Sequence, residues 1–156
     1  MTDVKWLSDD EQGWWRAYRD GTARLLDVLG HELERDTGLS LGEYEVLVRL
    51  SEAPERTLRM SELAGELAHS RSRLTHTIRR MENAGLVERT PCAQDARGVN
   101  CTMTPAGHQR LVAAAPSHVT SVRTYLVDAL TTEQMRALGE AMAAVGAALN
   151  ESAADE

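Results

Sequence analysis

The stretch S-R-S-R-L-T-H-T-I-R-R-M-E-N, Ser70 to Asn83, decides how this chain reads. At about 100° per residue its apolar side chains, Leu74, Ile78 and Met81, form one narrow stripe. The opposite face holds Ser72, His76, Arg79 and Asn83, flanked by Thr75, Arg73 and Arg80. Each of these can donate a hydrogen bond, and none is acidic. Glu82 falls toward the buried side. A DNA major groove admits one helix, and Arg, Ser, Thr, His and Asn all read base edges. Arg71 sits in the first turn, where free backbone amides also attract phosphate. A merely solvated face normally mixes charge signs, so this one favours nucleic acid.

Outward from that helix, Ser70 is a candidate N-cap and Gly85 a candidate stop. Before it, Ser61 to Leu67 reads as a short helix with Leu63, Ala64 and Leu67 apolar, followed by a tight turn at Ala68-His69. After it, Leu86 to Thr90 reads as a short strand. Pro91 to Asn100 reads as turn-rich, with Asp95 and Gly98. Val99, Cys101 and Met103 then alternate with polar residues as a second strand. Short helix, turn, second helix and hairpin make a winged helix-turn-helix.

The flanks read as long helices. Residues 9–36 carry Trp15, Thr22, Leu26, Leu29 and Leu33 at helical spacing, and Gly38 ends the run. Ser40 with Glu43 forms a capping box for a helix through about Leu50, closed by Pro54. Thr104-Pro105 opens another helix, with Leu111, Ala115, Val119, Val122, Leu126 and Leu130 in step and a kink expected at Pro116. Thr131 or Thr132 caps a last helix bearing the seam Met135, Leu138, Met142, Val145 and Leu149, and the chain is expected to fray from Ser152. The expected fold is mainly α with a small β-hairpin wing, flanked by long helices. Its parts are residues 1–38, 39–104 and 105–156.

A chain of 156 residues buries enough surface to fold without disulfides or metals. No apolar run approaches the length of a transmembrane helix, and the acidic start, Met1 to Asp10, has no signal-like apolar region. With two Cys, the expected location is the reducing cytoplasm. The net charge of −7 is unevenly spread. Residues 1–57 carry 7 basic and 13 acidic groups, whereas residues 58–104 carry 7 and 5. An acidic chain with one basic island points to a polyanion site.

The quoted helix belongs to a longer pattern. S-E-L-A (Ser61–Ala64), S-R-S-R-L-T-H-T-I-R-R-M-E-N-A-G-L-V-E-R (Ser70–Arg89), D-A-R (Asp95–Arg97) and T-P-A-G (Thr104–Gly107) together resemble the MarR family of bacterial transcription regulators. Met81, Cys101 and Met103 stand where that family often has Leu or Val. The resemblance implies a homodimer on double-stranded DNA with a pseudo-palindromic operator, the long flanking helices serving as dimerisation helices. It implies that Arg97 is the wing-tip Arg for the minor groove and that Asp95 braces the wing, while Gly98 is read as allowing its turn. The expected DNA-binding set is Ser70, Arg71, Ser72, Arg73, Thr75, His76, Arg79, Arg80, Asp95 and Arg97. Family members often bind small aromatic or phenolic anions between dimer base and DNA-binding lobe. Trp14, Trp15, Tyr18, His31 and Arg49 are candidates for that effector, although the aromatic residues also suit packing of the dimer base.

Rival chemistries are weaker. His31, His69, His76, His108 and His118 are dispersed, so no metal site is expected, and no cofactor either. No phosphate loop or nucleophile elbow supports an enzyme. Two alternatives stay open: a winged-helix module that binds protein and no DNA, and a redox-responsive regulator using Cys92 and Cys101.

Overall fold

The computed structural model describes residues 4–67, 71–92 and 95–154. Among them the elements run α1 (Asp9–Thr37), α2 (Leu41–Glu52), β1 (Thr57–Arg59), α3 (Met60–Glu66), α4 (Arg71–Asn83), β2 (Val87–Cys92), β3 (Asp95–Met103), α5 (Pro105–Val122) and α6 (Thr132–Ala154). The chain forms two compact units, Met1–His118 and Val119–Glu156. The architecture is mainly helical with a small antiparallel sheet, as expected of a winged helix.

Local chemistry sets the helix ends. Ser8 and Glu11 make a reciprocal capping box at the start of α1, with Ser8 N–H donating to Glu11 Oε2 at 2.7 Å. Gly38 closes α1 at φ 71°, a left-handed cap whose N–H reaches the Glu34 carbonyl at 2.8 Å. Ser40 and Glu43 cap α2 in the same reciprocal way. Gly85, also at φ 71°, releases the chain from α4 into β2.

The core of the first unit is one cluster. Leu33 of α1, Val46, Leu47 and Leu50 of α2, Leu63 of α3 and the stripe Leu74, Ile78 and Met81 of α4 meet Val87, Cys101 and Met103 of the sheet and Leu111 of α5. The narrow apolar stripe is what turns the polar face of α4 outward.

The wing departs from the expected hairpin in three ways. First, it is a three-stranded sheet in the order β1-β3-β2, with Leu58 opposite Cys101. Second, the strands extend much further toward the tip. Pro91 lies in β2 opposite Val99, and Cys92 opposite Asp95, after a register shift between Pro91 and Cys92. Residues expected to form a turn are therefore mostly strand. A proline is tolerated there because β2 is an edge strand and its missing N–H interrupts no inner ladder. Third, Gly98 lies inside β3 rather than at the reversal. The tight turn expected at Ala68-His69 and the N-cap Ser70 lie outside the described residues.

The helix after the wing stays α-helical through Pro116 to Val122, then widens to a π turn over Arg123–Val127. Asp128 N–H bonds to the Arg123 carbonyl at 2.8 Å there, so the expected single helix to Leu130 ends early. In the second unit, Thr131 rather than Thr132 caps α6. Gln134 N–H donates to Thr131 Oγ1 at 3.2 Å, and Thr131 N–H to Gln134 Oε1 at 2.9 Å. The seam residues Met142, Val145 and Leu149 are exposed in the single chain. Among the described residues, no helix is long and apolar enough to cross a membrane.

Candidate nucleic-acid interface

The wing is locked onto the end of α4 by one ion pair. Arg89 on β2 donates from Nε at 3.1 Å and Nη2 at 2.6 Å to Glu82 Oε2, and its backbone N–H reaches Oε1 at 3.2 Å. A fork on a carboxylate fixes orientation as well as distance. Hydrogen bonds from Arg89 hold the Glu82 carboxyl below its ordinary range, and the same contact pushes the Arg89 guanidinium up. The acid of α4 is thus spent on the wing and leaves the outer face cationic.

That outer face is open. Ser72, Arg73, Thr75, His76 and Arg79 are exposed, while Ile78 and Met81 behind them are fully buried. Arg80 is also exposed, yet its Nη2 donates to Glu43 Oε1 of α2 at 2.7 Å. Arg80 therefore ties α4 to α2 from the edge of the polar face. Ser70 lies outside the described residues. Arg71, Asp95 and Arg97 have a described backbone, at the start of α4 and on β3, but their side chains lie outside the description.

The two cysteines are far apart. Cys101 pairs with Arg89 and Cys92 with Asp95. The three residues from Arg89 to Cys92 span roughly 10 Å of strand, beyond the Cα reach of a disulfide. Both thiols are free and buried. Burial, with the charge of Glu82 adding to it and Arg89 opposing, pushes the Cys101 thiol up to about 12. A cross-wing disulfide within one chain is excluded by this register. We expect Cys101 to resist Ellman's reagent at pH 8 until the protein unfolds. Two thiols titrating rapidly in the native state would contradict this placement. Arg59 Nη2 lies 3.3 Å from Cys92 Sγ.

The five effector candidates fall in three places. Trp14, Trp15 and Tyr18 are exposed on the first half of α1, with the Trp15 and Tyr18 rings 6.1 Å apart. His31 lines a cleft of about 460 Å³ between α1 and α4, whose far wall is Arg73, His76 and Arg80. Its Nδ1 lies 2.9 Å from the Asp27 carbonyl. Arg49 lines a separate cleft of about 450 Å³ with Tyr44 and His118. Sequence reasoning paired neither Glu82 with Arg89 nor Tyr44 with His118. The L-V-E-R stretch marked Arg89 without showing its partner, and Glu43 was legible only as a cap. Among the described residues no group of three or more His, Cys, Asp or Glu is placed to hold a metal.

Comparison with known proteins agrees with this geometry. The MarR family model matches residues 39–99, from just before α2 into the wing. No curated protein matches the chain. Among solved structures, Sco3205 from Streptomyces coelicolor, a MarR family transcriptional regulator solved in complex with DNA, is 41% identical with a TM-score of 0.88. That match covers 94% of this chain and 91% of Sco3205. AbsC, a MarR family transcriptional regulator from the same organism, is 38% identical with a TM-score of 0.86, over 95% of this chain and 99% of its own. A mutant MarR from E. coli, complexed with operator DNA, shares the fold at 20% identity and a TM-score of 0.76, over 90% of this chain and 99% of its own. On its likeness to Sco3205 and AbsC, the chain belongs to the MarR family of transcriptional regulators.

Proposed function

We propose that this protein is a homodimeric repressor that binds a pseudo-palindromic DNA site and lets go when a small ligand binds. The observation that carries the reading is the exposed, acid-free face of α4, from which Glu82 is drawn away by Arg89. In this reading Arg73, His76, Ser72, Thr75 and Arg79 read base edges in the major groove. Ser70 and Arg71 meet phosphate at the helix start, and Arg97 enters the minor groove with Asp95 bracing the wing. Arg80 contributes by holding α4 against α2. Sco3205, at 41% identity, supports the DNA partner because it was solved with DNA.

The exposed apolar side chains support the homodimer. Trp6 at 83% and Trp14 at 70% relative exposure, and Leu149 at 65%, are large side chains that a lone chain leaves in water. Covering them with a second copy recovers roughly 25 cal/mol for each Å² buried. Two α4 helices related by a two-fold axis then address half-sites about 34–36 Å apart. A ligand releases DNA only by binding more tightly to a dimer whose α4 helices are wrongly spaced.

Fluorescence anisotropy against the DNA upstream of its own gene, across a salt series, tests this. Wild type is expected to bind with a steep salt slope. Arg97→Ala is expected to weaken binding and flatten the slope by about one unit. Arg73→Ala and His76→Ala are expected to lose about 1–3 kcal/mol on the operator and little on scrambled duplex. Wild-type affinity in all three variants would overturn the groove assignment. The net charge of −7 favours one other reading, a protein-binding winged helix, and that reading expects no DNA binding at low salt even from random duplex pools.

A further inference from the structure

Arg59 is the last residue of β1 and the N-cap of α3. An N-cap is usually Ser, Thr, Asp or Asn, because its side chain accepts an N–H from the first turn, and Arg has no acceptor. Only the reciprocal half of the cap is made here: Glu62 Oε2 accepts from the Arg59 backbone N–H at 3.1 Å. The Arg59 side chain goes elsewhere. It is half-buried, and its Nη2 lies 3.3 Å from Cys92 Sγ on β2, with β3 standing between the two strands. A residue that breaks the local rule of its own helix for a contact 33 positions away points to a role outside that helix.

The register shows what the contact holds. Arg59 pairs with Asn100, and Asn100 with Thr90, so these side chains share one face of the sheet. The opposite face carries Leu58 and Cys101, packed on the core, and Arg89, which reaches Glu82 of α4. The wing is therefore held from both faces, by Arg89 on the inner side and by Arg59 on the outer. Cys92 is also where the ladder goes out of step. Pro91 pairs with Val99, yet the next residue, Cys92, pairs with Asp95. β3 thus carries Ala96, Arg97 and Gly98 between the partners of two adjacent β2 residues. Excess residues on one strand bend it and re-aim its side chains, and Pro91 brings no N–H to fix the edge. Arg97 lies inside that irregular stretch. Cys92, buried although it sits on an edge strand, is the β2 residue at its border.

We propose that Arg59 is a positioning residue for DNA binding: by holding Cys92 it sets the irregular stretch of β3 that aims Arg97, and it does not itself touch DNA. This rests on the reading of the chain as a DNA-binding regulator with Arg97 in the minor groove.

The test is fluorescence anisotropy of the full-length protein on the DNA upstream of its own gene, across a salt series, with Arg59→Ala, Arg97→Ala and the double variant. Arg59→Ala is expected to weaken binding about five- to tenfold and to flatten the salt slope by about one unit, as Arg97→Ala does. In the Arg97→Ala background, Arg59→Ala is expected to change affinity by less than about twofold and to leave the slope where it is. Additive losses, with a second unit off the slope, would overturn the proposal, because they mark Arg59 as a phosphate contact in its own right. Wild-type affinity in Arg59→Ala would overturn it too. Cys92→Ala removes the sulfur and keeps both cations. It should weaken binding about two- to threefold and add nothing to Arg59→Ala, and full additivity there would remove Cys92 as the route. Circular dichroism confirms that each variant is folded; if Arg59→Ala fails to fold, Arg59→Met, which keeps the stem, carries the cycle. A wild type that binds no DNA overturns the proposed function, whereas one that binds, with additive or absent losses in the variants, overturns this inference alone.

Discussion

Gly107→Ala is expected to destabilise the protein by about 3 kcal/mol, a fall in Tm of roughly 10 °C. A Cβ built on Gly107 would lie 2.1 Å from the Leu86 carbonyl oxygen and 3.0 Å from Met103 Cγ. The first of these sets a Cβ, fixed to its own backbone, against a backbone oxygen, and no side-chain rotation relieves it. α5 would have to move off the root of the wing. That root is a short chain of hydrogen bonds: Gly107 N–H to Thr104 Oγ1 at 3.0 Å, Thr104 Oγ1 to the Gly85 carbonyl at 2.7 Å, and Thr104 N–H to the Leu86 carbonyl at 3.1 Å. Moving α5 breaks the set together. Gly139→Ala is the control, because an added Cβ there meets nothing within 4 Å and a mid-helix alanine is favoured by about 0.5–1 kcal/mol. Thermal melts of the two variants decide the matter. A Gly107→Ala melt within about 2 °C of wild type would contradict the close approach.

That glycine shows what a sequence can and cannot reveal. T-P-A-G was legible as a motif, and Thr104-Pro105 as a helix start, because capping is local chemistry. The reason for glycine was not legible, since Leu86 is 21 residues away. The same division holds across the molecule. The polar face of α4 follows from a period of 3.6 and needs no partner to be seen. β1 has only three residues, Thr57–Arg59, too few for any period to show, and it exists through its pairing with β3. Pro91 misled because proline usually ends a strand, and only the sheet order reveals that β2 is an edge. Glu55 and Arg56 adopt positive φ with no glycine or asparagine to announce it. His118 falls between Ala115 and Val119 of the helical apolar steps, and nothing in that spacing shows an orphaned nitrogen against Tyr44.

Glu43→Ala is the second large effect, expected to cost about 2 kcal/mol, because one carboxylate serves two ends. Its Oε2 accepts from Ser40 N–H at 2.9 Å and from Ser40 Oγ at 3.0 Å, closing the first turn of α2. Its Oε1 accepts from Arg80 of α4 at 2.7 Å. Loss of the cap contributes about 1 kcal/mol, and a negative charge at a helix start adds to it. The ion pair contributes about 1 kcal/mol at most, because the Arg80 side chain is 53% exposed and rehydrates when released. Glu43→Gln keeps a carbonyl oxygen for Ser40 and should lose about half as much. Urea denaturation of Glu43→Ala, Arg80→Ala and the double variant measures the coupling, expected at about 1 kcal/mol; additive losses would remove Arg80 as the tie between α2 and α4. The same variants then separate two roles of Arg80 on DNA. If it acts by holding α4 in place, Arg80→Ala and Glu43→Ala weaken DNA binding alike and leave the salt slope near that of wild type. If it touches phosphate, Arg80→Ala alone flattens the slope by about one unit, since removing Glu43 takes away no cation.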